Sequence, residues 1–281
     1  MPNPKVLAIN DLSGFGTTSL LAVIPIMNRM GIEVVTMPSA LLSANTDFPD
    51  YVLQDNSVLL KKSLQHWQKL QLTFDAIYTG FLGSPLQVSV LLENLLPLKN
   101  DKTLVLVDPV LADAGKLYSC YTWEMVEAMR SLISISDIIT PNWTEAIFLT
   151  DFHYGQNSNG NQVQECCEKL AALGPRYVVI TSAPNAKGEF SSVALFDARL
   201  GFFQEFACQY APVVFPGAGD CFSAMLLAGL LNGYDLVTSI QGTLSFLQQA
   251  IEKSITTVVD RKTGIDLISA LKTDPQLFFS H

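Results

Sequence analysis

Short apolar runs alternate with longer helical ones along almost the whole chain, and this alternation limits the fold more than any other feature. KVLAI (5–9), EVVTM (33–37), FDAIYTG (74–80), TLVLVDP (103–109), DIIT (137–140) and YVVIT (177–181) read as strands. Strands that are apolar along their length must be covered on both faces. Between them, residues 18–30, 57–70, 87–96, 122–132, 143–149 and 163–173 have helical spacing. This repetition predicts an α/β fold: a central, mostly parallel sheet with helices on both faces. SSVALFD (191–197) and FFQEFAC (202–208) read as an antiparallel pair. Helices are expected at 221–231, 235–252 and 264–272, and irregular loops at 12–16, 43–55 and 151–162.

No linker, repeat or composition shift divides the 281 residues, so one domain spanning 1–281 is expected. Hydrophobic residues make up 49% of the chain, enough for a large core. The net charge of −9 argues against nucleic acid or anionic lipid as a partner, because both demand clustered Lys and Arg. The densest basic patch is Lys61-Lys62. No run reaches the roughly 20 apolar residues of a membrane span. The five cysteines have no zinc-type spacing, and the N-terminus does not read as a secretory signal, so a reducing cytoplasm is the expected compartment. None of the three histidines adjoins a Ser or Cys nucleophile pattern, so no hydrolase triad is expected.

In such sheets ligands bind beyond the carboxyl ends of the strands. FPGAGDCFSAM (215–225) is the most informative of the strand-end stretches. Gly217 and Gly219 flank Ala218 and permit a backbone whose N–H groups converge on an anion, with left-handed geometry expected at Gly219. The helix that follows adds the positive end of its dipole. Asp220 beside that anion is either the base of a phosphoryl transfer or the N-cap of the helix. In VLVDPVLADAGKLY (105–118), Asp108 and Asp113 either hold Mg²⁺ or cap a turn and meet solvent. In DIITPNWTEA (137–146), Asn142 and Glu145 either face the same crevice or form a capping box. NDLSGFGT (10–17) offers Asp11 and Ser13 as hydrogen-bonding groups; it is neither a dinucleotide fingerprint nor a P-loop. An anion nest, a carboxylate and several acidic groups on one sheet edge suit Mg-assisted phosphoryl transfer.

These stretches also carry a resemblance. PGAGDCFSAMLLAGL resembles the anion-hole signature of the ribokinase-like superfamily, and DPVLADAGKLY and ITPNWTEA are similar to motifs of its vitamin-kinase branch. NDLSGFGTTSLLAVIPIMNRMGIEVVTMPSALLSANT and FDAIYTGFLGSPLQ resemble pyridoxal (pyridoxine) kinases, so the likeness runs from Val6 to about Leu231. The resemblance implies ATP-dependent phosphorylation of the 5′-hydroxymethyl group of a B6 vitamer, with ATP, Mg²⁺ and a monovalent cation such as K⁺, in a homodimer. It makes Asp220 the base and the amides of Gly217, Ala218 and Gly219 the anion hole. It places Asp108, Asp113 and Glu145 around Mg²⁺. Asn142, Thr181, Ser182, Tyr118 and Phe215 would lie at the nucleotide, and Asp11, Ser13, Thr46 and Phe81 at the vitamin ring. Phe81 stands where some relatives have Tyr, SANTDF lacks the glycine that often follows its Thr, and Ala218 replaces a frequent Thr. The alternatives are a hydroxymethylpyrimidine kinase and a non-catalytic vitamin-binding protein.

Overall fold

The computed structural model describes residues 3–151, 160–185, 190–208 and 214–279. In its first half the chain forms β1 (Lys5–Ser13), α1 (Ser19–Arg29), β2 (Glu33–Leu42), β3 (Leu53–Asp55), α2 (Ser57–Lys69), β4 (Ala76–Thr79), α3 (Pro85–Asn94) and β5 (Leu104–Val107). A small hairpin, β6 (Ala112–Asp113) and β7 (Lys116–Leu117), precedes α4 (Trp123–Ile133), β8 (Ile138–Ile139) and α5 (Trp143–Thr150). The remainder is α6 (Gly160–Ala171), β9 (Tyr177–Pro184), β10 (Phe190–Asp197), β11 (Phe202–Ala207), α7 (Ala218–Leu231), α8 (Leu236–Thr257) and α9 (Leu267–Ala270).

Among the described residues, nine strands form one sheet in the order β11-β10-β9-β8-β5-β4-β1-β2-β3. The six strands from β9 to β2 are parallel, while β10, β11 and β3 join antiparallel at the edges. The period-two alternation of strand side chains explains the two layers. Leu7, Ile9, Ile77, Val105, Val107 and Ile139 enter one core with α2 to α6. Val6, Ala8, Ala76, Tyr78, Leu106 and Ile138 enter the other with α1, α7 and α8. Each fully buried Leu or Ile contributes roughly 1.5–3 kcal/mol, so the sheet is held from both sides.

The structure moves several expected boundaries. β1 runs on through Ser13, so Asp11 and Ser13 belong to a strand rather than a loop. Its register with β2 shifts between Asn10 and Leu12, an irregularity that re-aims side chains at the sheet's edge. Leu53–Asp55 in the stretch read as irregular pairs with the end of β2. α7 begins at Ala218, so Gly219 and Asp220 lie inside its first turn. The segment 264–272 is helical only over Leu267–Ala270, because Gly264 sits at φ +88° in a bridge with Thr17. Of the loop read at 151–162, residues 152–159 lie outside the described residues, and α6 has begun by Gly160. Among the described residues, no helix is long and apolar enough to cross a membrane.

Candidate active site

Every residue singled out at the strand ends lines one cleft of about 310 Å³. β1 leads first to β2 on one side and then to β4 on the other, so the strand order reverses between β1 and β4. Ligands in open α/β sheets bind at such a reversal. Asp220 meets the sheet there. Its Oδ1 accepts from Asn10 Nδ2 on β1 at 2.8 Å and from the Tyr78 hydroxyl on β4 at 3.4 Å. Its Oδ2 accepts from the Ser19 N–H, at the start of α1, at 2.8 Å. The N-cap of α7 is Gly217, with no side-chain cap bond, so Asp220 is not the N-cap.

Gly217 adopts φ +84°, and a Cβ there would lie 2.5 Å from the Thr17 carbonyl oxygen. Only glycine fits that turn. The left-handed geometry expected at Gly219 is absent: a Cβ there would meet only Asp108 Oδ2, at 4.0 Å. The Ala218 N–H donates to Phe215 O at 3.2 Å and the Cys221 N–H to Gly217 O at 2.9 Å. The N–H groups of Gly219 and Asp220 have no protein acceptor among the described residues, as the first turn of a helix requires.

Burial is the largest influence on the carboxylates. It pushes Asp220 up to about 6, with the Asp11 charge adding to the rise and the Ser19, Asn10 and Tyr78 donors opposing it. Asp108, just beyond β5, is pushed up to about 8 by burial and by the charge of Asp220. Its Oδ2 accepts from the Ser223 hydroxyl at 3.0 Å, which in turn lies 2.8 Å from the Thr140 hydroxyl. Glu145 is raised by burial and by Asp108. Its Oε2 accepts from the Asn142 N–H at 2.8 Å and its Oε1 from the Leu111 N–H at 3.0 Å, while Asn142 Oδ1 accepts from the Glu145 N–H at 2.9 Å. The capping box is therefore present, and both its members line the cleft. Asp113 stands on the exposed hairpin, where its Oδ1 accepts from the Ala114 N–H at 2.7 Å.

Thr181 and Ser182 close the wall at the end of β9, and Ser182 holds a left-handed φ of +51°. Phe215 is buried beneath the α7 turn. Asp11 accepts from the Ser13 hydroxyl at 2.8 Å. Phe81 stacks on Tyr121 with ring centroids 5.6 Å apart, and Thr46 lies on the loop beyond β2. Among the described residues, no three His, Cys, Asp or Glu side chains gather into a complete metal-binding group. The described lining carries Asp11, Asp47, Asp108, Asp113, Glu145 and Asp220 and no Lys, Arg or His. Buried carboxylates that raise one another's pKa, with no cation in the described lining, fit a divalent ion that shares its coordination with phosphates.

The phosphomethylpyrimidine kinase family model matches residues 14–263. The chain belongs to this family. It is 30% identical to pyridoxine kinase of Bacillus subtilis over 203 residues, 72% of either chain. Pyridoxal kinase from Lactobacillus plantarum superposes with a TM-score of 0.87 at 29% identity, covering 99% of both chains. A protein from Bacteroides thetaiotaomicron with the provisional name phosphomethylpyrimidine kinase, in a crystal form with pyridoxal, superposes with a TM-score of 0.92 at 35% identity. That match covers 97% of this chain and 96% of the other.

Four groups of this phosphomethylpyrimidine kinase family member escaped the sequence reading: Asn10, the Ser19 N–H, Tyr78 and Ser223. One signal was present. Tyr78 carries a phenolic tip within the short strand AIYT, and such a tip requires a partner when buried.

Proposed function

We propose that the chain transfers the γ-phosphoryl group of ATP to the 5′-hydroxymethyl group of pyridoxal, pyridoxine or pyridoxamine. The observation that carries this reading is Asp220, held by donors from α1, β1 and β4 beside unpaired N–H groups of the first turn of α7. Asp220 takes the proton of the attacking hydroxyl as its oxygen bonds to the γ-phosphorus and the bond to the β-phosphate oxygen breaks. The ADP oxygen keeps the electron pair of that bond. The amides of Gly217, Ala218 and Gly219 stabilise charge on the transferring group; among the described residues those of Gly217 and Gly219 have no protein acceptor.

Asp108 and Glu145, with Asp113 at the rim, hold Mg²⁺ directly or through water. When bound, Mg²⁺ neutralises phosphate charge and orients the chain of phosphates. Asn142, Thr181, Ser182, Tyr118 and Phe215 form the nucleotide side of the cleft. Asp11, Ser13, Thr46 and Phe81 form the vitamin side, with Phe81 stacking on the pyridine ring. A single domain over 1–281, a monovalent cation such as K⁺, a homodimeric assembly and a cytoplasmic location complete the proposal; these rest on sequence or resemblance.

The deciding experiment gives the purified protein Mg-ATP with the three vitamers and hydroxymethylpyrimidine, and measures ADP and phosphate ester. Vitamer esters are the expected products. Ester from hydroxymethylpyrimidine alone would move the assignment to the thiamine-related kinase. Ligand binding without ADP release would make the protein a non-catalytic binder.

A further inference from the structure

We infer that Oδ2 of Asp220, rather than Oδ1, takes the substrate proton, and that Asn10 and Tyr78 are the positioning residues that dictate this choice. The inference rests on the kinase reading above. Each carboxylate oxygen offers about two lone-pair sites. At Oδ1 both are engaged, by Asn10 Nδ2 at 2.8 Å and the Tyr78 hydroxyl at 3.4 Å. At Oδ2, among the described residues, only the Ser19 N–H is bound, at 2.8 Å, which leaves one site open on a side chain partly exposed to the cleft.

The arrangement has a fixed polarity. Asn10 Oδ1 accepts from the N–H groups of Asp11 and Phe81 at 2.9 and 2.8 Å, so its Nδ2 must face Asp220. A turned amide would set its carbonyl against the carboxylate and leave two buried N–H groups without acceptors. Gly80 makes the placement sterically possible, because a Cβ there would collide with the Asn10 side chain. Tyr78 is fully buried, and its oxygen lies 3.3 Å from Asn10 Nδ2. Nδ2 only donates and an ionised Oδ1 only accepts, so the phenolic proton points to Asp220. Ser19 contributes its N–H from a left-handed backbone with φ +53°, an unusual conformation for a residue with a side chain.

Burial and the charge of Asp11 on β1 oppose the ionisation of Asp220, and the three donors favour it. Its charge in turn raises Asp108, beyond β5. Tyr78→Phe removes one donor and opens a second, unproductive protonation site on Oδ1. The acid limb of kcat/KM is expected to move to higher pH, by about half a unit to one unit. At the plateau kcat is expected to fall roughly three- to tenfold with the vitamer KM unchanged. Site-specific 3-fluorotyrosine at position 78 preserves the shape and strengthens the donor, so its limb is expected to move to lower pH. Tyr121→Phe removes another buried hydroxyl, one that donates to Leu82 O at 2.7 Å, and is expected to leave the limb in place.

Opposite movement of the limb with the two position-78 replacements supports the inference. Limbs of both that overlay the parent's, in a parent that phosphorylates vitamers, would overturn the positioning role while the kinase reading stands. A parent that makes no phosphate ester would remove both.

Discussion

Asp220 and the Asp108–Glu145 pair share one cleft, yet the fold treats them differently. Asp220 receives hydrogen bonds from α1, β1 and β4, and its pKa rises only to about 6 despite burial and the Asp11 charge. Asp108 has the Ser223 hydroxyl and rises to about 8; Glu145 has backbone N–H partners and is raised as well. A base must be ionised near neutral pH and must sit rigidly, so protein donors suit it. A cation site gains from carboxylates whose charge the protein leaves uncompensated, because the ion then supplies the missing partner. On the proposed reading, Asp220 moves the proton from a position fixed by α1, β1 and β4, while Asp108, with the Ser223 hydroxyl, and Glu145, held in the capping box by backbone N–H groups, recruit the metal.

The same contrast separates the two glycines of the α7 turn. Gly219→Val should lower turnover about a hundredfold, the usual result of spoiling one oxyanion-hole donor, with a melting temperature close to the parent's. Gly217→Ala should instead lose roughly 1–3 kcal/mol of stability, because its φ is +84° and its Cβ would press on Thr17 O. Thermal melts and turnover on both variants read the two effects separately. If both lose stability and activity in the same proportion, the turn and the anion hole are one structural feature.

A smaller effect is expected from Glu145→Gln. The amide replaces an acceptor that serves the Asn142 and Leu111 N–H groups, so about 1 kcal/mol of stability should go with the cap. The Mg²⁺ concentration for half-maximal rate should rise roughly tenfold. A variant that melts lower while its Mg²⁺ titration overlays the parent's would reduce Glu145 to a helix cap.

Much of this was legible in the sequence because strand ends are local features. Apolar runs gave the strands, and the polar residues just beyond them were bound to meet at the carboxyl edge of a parallel sheet. What escaped depends on contacts between distant segments. Asn10 and Asp220 are 210 residues apart, and Tyr78 reads simply as a strand aromatic until Asp220 arrives beside it. The Ser19 donor is a backbone group, which no residue type announces. The two glycines of GAG look alike in sequence; the left-handed φ of Gly217 and the Thr17 carbonyl against it tell them apart. For Asn142 and Glu145 the choice between cap and site was a false one, since the capping box is what fixes both at the cleft.

The division between the two groups of carboxylates is tested most directly by one Mg²⁺ titration of vitamer phosphorylation, run on the parent, Asp108→Asn and Asp220→Asn. Asp108→Asn should regain most of the parent's rate as Mg²⁺ is raised. Asp220→Asn should stay roughly 10²–10⁴-fold below the parent at every concentration, the loss expected when a general base is removed. Recovery of Asp220→Asn by added Mg²⁺, or an Asp108→Asn curve as flat as that of Asp220→Asn, would contradict that division.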